Sequence, residues 1–228
     1  MNSLLASAPL AFFATSPQPC PYLPDRYERR LVTDLSRRDA VPMHDALSQA
    51  GFRRSHTLAY TPICSGCAAC VPVRVDVRGF QPDRAHRRVL AHNSDLLLQQ
   101  LPPAATKEQY ALFTAYQRRR HHHGDMAKMG YHDYQLLIEQ TPVRTSILEV
   151  RDPTQILRAV CIVDHICDGL SAVYSFFDPT LRRRSLGTFI ILSLIDRSHR
   201  ADLNYLYLGF WIAQTTKRLF GHTNWSAR

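Results

Sequence analysis

Leu170-Ser171-Ala172-Val173-Tyr174-Ser175-Phe176-Phe177, entered through Asp168-Gly169 and left through Asp178-Pro179, is the stretch that decides the fold. Its β-branched and aromatic residues suit a strand, and Asp-Gly between two apolar runs signals a hairpin. Two further strand-like runs precede it, Val143 to Val150 and Ile156 to Ile166. After Asp178-Pro179 comes Arg182-Arg183-Arg184-Ser185-Leu186-Gly187-Thr188, which opens a helix predicted to reach Arg200. A last strand is predicted over Asn204 to Trp211. The order is strands, a basic loop containing glycine, a helix, and a strand. Such a loop sets backbone N–H groups and arginine side chains at a helix N-terminus, where anions are favoured.

Upstream, Leu101-Pro102-Pro103-Ala104-Ala105 reads as a linker. It predicts an N-terminal domain over 1–104, carrying a cysteine cluster, and a C-terminal domain over 105–228. Thr106 to Arg120 reads as an amphipathic helix with a capping box from Thr106 and Gln109. Its end runs Arg118-Arg119-Arg120-His121-His122-His123; adjacent helical histidines diverge, so the triplet is a poor metal site. Tyr131 to Glu139 reads as a short helix. Before the linker, Met43 to Ala50 is predicted helical and stopped by Gly51, and Thr57 to Thr61 forms a short strand. Val71, Val73, Val75 and Val77 alternate with Pro72, Arg74, Asp76 and Arg78, the period of a half-buried strand. Asp83 to Asn93 looks helical.

A chain of 228 residues with 45% hydrophobic content can bury a real core. Its net charge is +9, and the basic residues are nearly all arginine, with lysine only at 107, 128 and 217. Arginine makes forked pairs with phosphate and carboxylate, so the balance points to nucleic acid or an acidic ligand. The plain alternative is a basic surface that keeps the chain soluble. Six cysteines, three of them clustered, do not resemble a secreted disulfide framework. Met1 to Thr15 lacks a basic start and runs into Pro17, Pro19 and Pro21, so an ordered arm is expected rather than a signal peptide. No apolar run approaches the roughly 20 residues that span a membrane. The expected location is the cytoplasm, with no membrane partner.

Cys64-Ser65-Gly66-Cys67-Ala68-Ala69-Cys70 can turn three thiols toward one point. Cys20 would complete a set of four, suited to zinc or an iron–sulfur cluster. The alternative is a tight turn of small buried apolar residues.

The strand–loop–helix–strand order resembles the core of N-acetyltransferases, where an Arg-x-x-Gly turn holds a phosphate-bearing acyl donor. The resemblance narrows with other stretches: Pro19-Cys20-Pro21-Tyr22-Leu23-Pro24, Arg30-Leu31-Val32-Thr33-Asp34, Gly51-Phe52-Arg53-Arg54-Ser55-His56, the cysteine turn with Val71-Pro72-Val73-Arg74, Asp168 to Phe176, Arg184-Ser185-Leu186-Gly187-Thr188, and Tyr205 to Ile212. Together they resemble the bacterial aspartate/glutamate leucyltransferases of the N-degron pathway, relatives of arginyl-tRNA–protein transferases. The resemblance covers about residues 12–217. It implies an α+β fold: an acetyltransferase-like (GNAT-type) mixed-sheet C-terminal domain with a smaller N-terminal α/β domain. It implies transfer of an amino acid, usually leucine, from its tRNA to an N-terminal Asp or Glu, marking that protein for degradation. It also implies that the chemistry needs no cofactor and that the acyl donor is the tRNA rather than coenzyme A.

Three departures stand out. His123-Gly124-Asp125-Met126 stands where paired glycines precede Met in that family. Lys217-Arg218-Leu219-Phe220-Gly221-His222 lacks the family's Lys-Met-x-Tyr-Lys run, and the tail lacks its basic, proline-containing ending.

The donor ester is already activated, so alignment and oxyanion stabilisation are the main tasks. Tyr174, Ser175, Asp178 and Tyr207 are the candidate catalytic residues. Core packing is the alternative for the tyrosines, and a turn-initiating Asp-Pro for Asp178. Arg53, Arg54, His56 and Arg74 are candidates for the acceptor's carboxylate. Arg184, Ser185, Gly187, Arg118, Arg119 and Arg120 are candidates for tRNA. Three rivals stay open: a coenzyme A-dependent acetyltransferase, disfavoured by Thr188 near the place of a second glycine; a non-catalytic metal-containing tRNA-binding module; and arginine as the donated residue.

Overall fold

The computed structural model describes residues 9–121, 124–212 and 225–227. The divergent tail at 217–222 and His123 lie outside the described residues. In chain order the strands are β1 Phe13–Ala14, β2 Gln18–Pro19, β3 Tyr27–Glu28, β4 Arg30–Asp34, β5 Arg53–Ser55, β6 Leu58–Pro62 and β7 Cys70–Asp76. They continue with β8 Leu97–Leu101, β9 Thr145–Arg151, β10 Leu157–Ile166, β11 Gly169–Phe177, β12 Tyr205–Ile212 and β13 Trp225–Ala227. The helices are α1 Ala40–Gln49, α2 Arg84–His92, α3 Lys107–Arg120, α4 Tyr131–Glu139 and α5 Leu186–Arg200.

The fold is α+β, built on a mixed sheet of order β13-β7-β12-β11-β10-β9-β8. Its β11–β12 pair is parallel and its other pairs are antiparallel. A mixed sheet within an α+β fold is what the sequence implies. Strand β10 explains the layering. Ala159, Cys161 and Val163 face a core shared with α5, whereas Val160 and Ile162 face a second core shared with α3 and α4. A strand covered on both faces needs an unbroken apolar run, and Ala159-Val160-Cys161-Ile162-Val163 supplies one.

A smaller antiparallel sheet, β1-β4-β6-β5, packs with α1 around Leu35, Ala40, Leu47 and Ala59. Strands β7 and β8 precede the Pro102-Pro103 stretch, yet they pair within the large sheet beside β12 and β9. The valine alternation of β7 is realised: Val73 and Val75 are buried, and Val77 follows just past the strand end. Thr106 and Gln109 form the expected capping box at the start of α3. Strand β8, Leu97-Leu98-Gln99-Gln100-Leu101, lacks alternation and lies at the sheet edge, paired on one side to β9.

The β10–β11 hairpin differs in detail from the sequence reading. Ile166 pairs with Gly169, so Cys167 and Asp168 form the turn. Gly169 answers a different need, because a Cβ there would overlap the Tyr205 carbonyl of β12.

Candidate active site

Strands β11 and β12 pair at Gly169–Tyr205, Leu170–Leu206 and Ser171–Tyr207, and then separate. Each strand is bulged where they part. Ile162 and Val163 of β10 face Tyr174 and Ala172, leaving Val173 unopposed; Arg74 and Val73 of β7 face Tyr207 and Gly209, leaving Leu208 unopposed. A bulge breaks the ladder and frees backbone groups for other partners. Here the freed partner is Arg53, reaching in from β5. Its Nη2 donates to the Val173 carbonyl at 2.7 Å and the Ala172 carbonyl at 3.4 Å, and its Nη1 to the Leu208 carbonyl at 3.5 Å. No carboxylate pairs with Arg53 among the described residues, so its positive charge is oriented but not neutralised.

The split opens onto a cavity of about 500 Å³, a size typical of small-molecule sites. Arg53, Arg54, His56, Tyr174 and Ser175 all line it. Burial pushes the Tyr174 phenol up to about 12, so it is neutral and available as a donor. Its oxygen lies 2.6 Å from Gln117 Nε2. Burial, helped by Arg54, lowers the His56 pKa. His56 sits at φ +53°, at the turn after β5.

Arg54 lies next to Arg53 but points the other way, as successive strand residues must. Its Nε and Nη2 donate to Asp164 at 2.6 and 2.8 Å, with both residues buried. Thr145 donates to the same carboxylate at 2.7 Å, and His44 Nε2 lies 3.6 Å from it. The network joins the small sheet to β10 and fixes β5 so that Arg53 enters the split.

Other expected residues lie outside the cavity lining. Tyr207 donates to Asp168 at 3.1 Å and accepts from Arg74 at 3.2 Å, and the Arg74 guanidinium lies 3.4 Å from the Tyr205 ring centre. Asp178 accepts from the Thr180 N–H at 2.9 Å and from Arg158 at 2.9 Å. Burial raises its pKa, but these bonds outweigh burial and leave the carboxyl below its ordinary range. That is the geometry of an Asp-Pro turn tied to its neighbour strand.

The basic residues divide in two. Arg184 is held by Asp95 through two bonds of 2.8 and 2.9 Å. Ser185 is left-handed at φ +50°. At Gly187 an added Cβ would come within 3.1 Å of the Phe177 ring. Arg118 and Arg119, by contrast, line an open groove of about 550 Å³ with Pro179, Thr180 and Arg182. No carboxylate pairs with these three arginines among the described residues. Arg120 lies 5.2 Å from the Phe177 ring centre, at the same end of α3.

Cys20, Cys64, Cys67 and Cys70 line one small cavity whose wall, Tyr22 and Tyr60, also borders the large one. All four are free thiols. Burial, then the neighbouring Cys64, Cys20 and Cys67, raises the Cys70 thiol pKa. Among the described residues no group of three or more His, Cys, Asp or Glu converges closely enough to hold a metal ion. The donor set therefore has the right chemistry for zinc or a cluster, but the geometry does not support a formed site.

Sequence reasoning missed Gln117, Gly209 and the carbonyls of Val173 and Leu208. A glycine inside an apolar strand was the one signal available, since it marks a bulge or a close approach. Among the described residues, no helix is long and apolar enough to cross a membrane.

Two family models match the chain. The model described as arginine-tRNA-protein transferase, N terminus, matches residues 18–88, and the C terminus model matches 108–219. Among solved structures, the chain is similar to L-PGS from Bacillus licheniformis, with TM-score 0.46 and 12% identity over 68% of this chain and 50% of that one. An aspartate/glutamate leucyltransferase from Rhodospirillum rubrum is 47% identical over 96% of this chain and 94% of its own. Its counterparts from Gluconacetobacter diazotrophicus and Paramagnetospirillum magneticum are each 50% identical, over 93% and 95% of this chain and 82% and 89% of theirs. Identity at this level, along nearly the whole of each chain, means that this chain belongs to the aspartate/glutamate leucyltransferase family.

Proposed function

We propose that the protein transfers leucine from leucyl-tRNA to the α-amine of proteins that begin with Asp or Glu. The observation that carries this reading is Arg53. Among the described residues its guanidinium is held in the strand split by backbone carbonyls alone and keeps an unneutralised charge on the cavity wall. An acidic side chain of the acceptor supplies the missing counter-charge. Arg54, whose guanidinium is committed to Asp164, holds β5 in place, and His56 lies on the same wall as Arg53.

The donor side chain is read from the rest of the lining. Leu137, Ile162, Ile191, Leu208 and Phe210 line the cavity, and among the described residues no Asp or Glu does. A leucyl side chain is at home there. An arginyl side chain would bring a second cation beside Arg53 with nothing to offset it.

In the reaction the neutral α-amine attacks the ester carbonyl carbon, and collapse of the tetrahedral intermediate breaks the bond to the ribose oxygen. The amine loses a proton and the ribose oxygen gains one. An α-amine with a pKa of ~7.7–8.0 is partly neutral near pH 7, so no strong base is needed. Tyr174 and Ser175 lie on the cavity and can donate to the developing oxyanion. Cys161 is excluded as a nucleophile by full burial, which pushes its thiol up to about 12. Arg118, Arg119 and Arg182 form the groove that follows the tRNA backbone, with Arg120 beside it. Cytoplasmic aminoacyl-tRNA would be the donor pool.

Cys20, Cys64, Cys67 and Cys70 are the donors through which zinc or an iron–sulfur cluster would be held. Such a group would stiffen the Tyr22–Tyr60 wall, and no step of the transfer passes through it. Metal and sulfide analysis of the purified protein distinguishes about one zinc or a cluster from none.

The test of the main reading is a transfer assay with tRNAs charged with labelled leucine or arginine and peptides beginning with Asp, Glu, Lys or Arg. Leucine on the Asp and Glu peptides alone is the expected result. Arginine on those peptides would overturn the donor assignment. No label on any peptide, with tRNA still bound, would leave a binding module in place of an enzyme.

A further inference from the structure

Helix α3 turns Phe113, Tyr116 and Gln117 toward the sheet, and all three are buried. The first two fill the core beneath β11. Gln117 is 1% exposed, and its Oε1 is buried with no hydrogen-bond partner. A buried amide with one end unmet costs stability that a leucine at the same place would not. What the amide does is donate: Nε2 lies 2.6 Å from the Tyr174 phenol oxygen.

The direction of this bond follows from the orphan. Either orientation of the amide leaves one end without a partner. With nitrogen on the phenol, the atom left without any partner is the carbonyl oxygen; with oxygen there, both N–H donors of the amide would be unmet, which is tolerated less well. The phenol oxygen therefore accepts, and its own proton must point elsewhere. Among the described residues no acceptor takes that proton, and Tyr174 lines the cavity.

We infer that Gln117 is a positioning residue, which fixes the Tyr174 hydroxyl as a hydrogen-bond donor into the cavity. The inference rests on reading the cavity as the acyl-transfer site. A donor that is already oriented needs no reorganisation when charge develops on the ester oxygen. An unanchored phenol would spend time turned toward other acceptors, including water.

The test measures leucine transfer to an Asp peptide by wild type, Tyr174→Phe, Gln117→Glu, Gln117→Leu, and each Gln117 variant combined with Tyr174→Phe. Removing one oxyanion donor lowers kcat by about 100-fold, so Tyr174→Phe should do so with KM unchanged for both substrates. Gln117→Glu places an acceptor where the donor was, draws the phenol proton away from the cavity, and should approach the same loss. Gln117→Leu keeps the bulk and removes the anchor; it should lower kcat by at least about tenfold, with an unfolding midpoint no lower than wild type. In the Tyr174→Phe background neither Gln117 change should lower kcat further. A merely structural Gln117 would lower kcat in both backgrounds alike, and that result would overturn the inference. So would wild-type kcat in both Gln117 variants while Tyr174→Phe is impaired. Wild-type kcat in Tyr174→Phe would remove Tyr174 from the reaction, and Gln117 with it.

Discussion

The guanidinium of Arg53 occupies the space that a side chain at Gly209 would need. Gly209 has φ +88°, and a Cβ there would overlap the Nη1, Cζ and Nε atoms of Arg53. The glycine thus does two things, accepting a left-handed backbone beside the Leu208 bulge and making room for the cation. Gly209→Ala should lower stability by roughly 1–3 kcal/mol through backbone strain. It should also expel Arg53 and lower kcat/KM for Asp peptides. Arg53→Ala should lower the same constant by about 10- to 100-fold, the loss of one charge-assisted contact. In the Arg53→Ala background, Gly209→Ala should cost stability but little further activity. Full activity of Gly209→Ala toward acidic peptides would mean that the Arg53 position in the split does not matter.

Arg54 and Asp164 should behave differently, although Arg54 is the immediate neighbour of Arg53. Their pair is buried and doubly bonded. Removing one partner strands a buried charge, which costs about 3–5 kcal/mol. Arg54→Ala and Asp164→Ala should each lower the urea unfolding midpoint, leaving the surviving folded enzyme selective for Asp over Lys peptides. Loss of selectivity in Arg54→Ala without loss of stability would move the acceptor pocket from Arg53 to Arg54.

This contrast shows what could be read from the chain before its fold. Periodicity and capping residues announced β7, α3 and the run from β9 to β12, because those signals are local. Arg53 and Arg54 are chemically identical in sequence. Which of them sends its guanidinium into the strand split depends on pairing with Tyr60 and Ala59 of β6, and on Asp164, 110 residues away. Arg184 looks like a free phosphate ligand until Asp95 is brought beside it across 89 residues. Gln117 sits in a polar run before three arginines and reads as solvated; only the docking of α3 on β11 buries it. The bulges at Val173 and Leu208 leave no local trace except Gly209.

The division among the arginines can be tested by salt dependence. Each phosphate contact contributes roughly 0.7–0.9 to the slope of log affinity against log salt. Arg118→Ala, Arg119→Ala and Arg182→Ala should each lower the slope for leucyl-tRNA binding by about that much. Arg184→Ala should leave it unchanged, since that guanidinium is committed to Asp95, and should cost at most about 1 kcal/mol of stability. A slope that falls for Arg184→Ala and holds for Arg182→Ala would restore the helix N-terminus as the phosphate site.

The network around Asp164 also sets a direction for the pH dependence of stability. His44 is 3% exposed. Burial lowers its pKa, the nearby Asp164 raises it, and Arg54 lowers it again; the net shift is downward. Folded His44 is therefore neutral where an unfolded histidine, with a pKa of ~6.5, begins to take up a proton. The unfolded chain then binds more protons than the folded one, so stability must fall as pH falls through about 6.5. For one histidine the slope approaches about 1.4 kcal/mol per pH unit. His56, His121 and His165 are shifted the same way, burial being the largest cause in each, and add to the effect. Urea unfolding at intervals from pH 7.5 to 5.5 should show this decline, and His44→Asn should make it shallower by up to one proton's worth. Stability that is flat or rises toward pH 5.5 would contradict a neutral buried His44, as would an unchanged slope in His44→Asn.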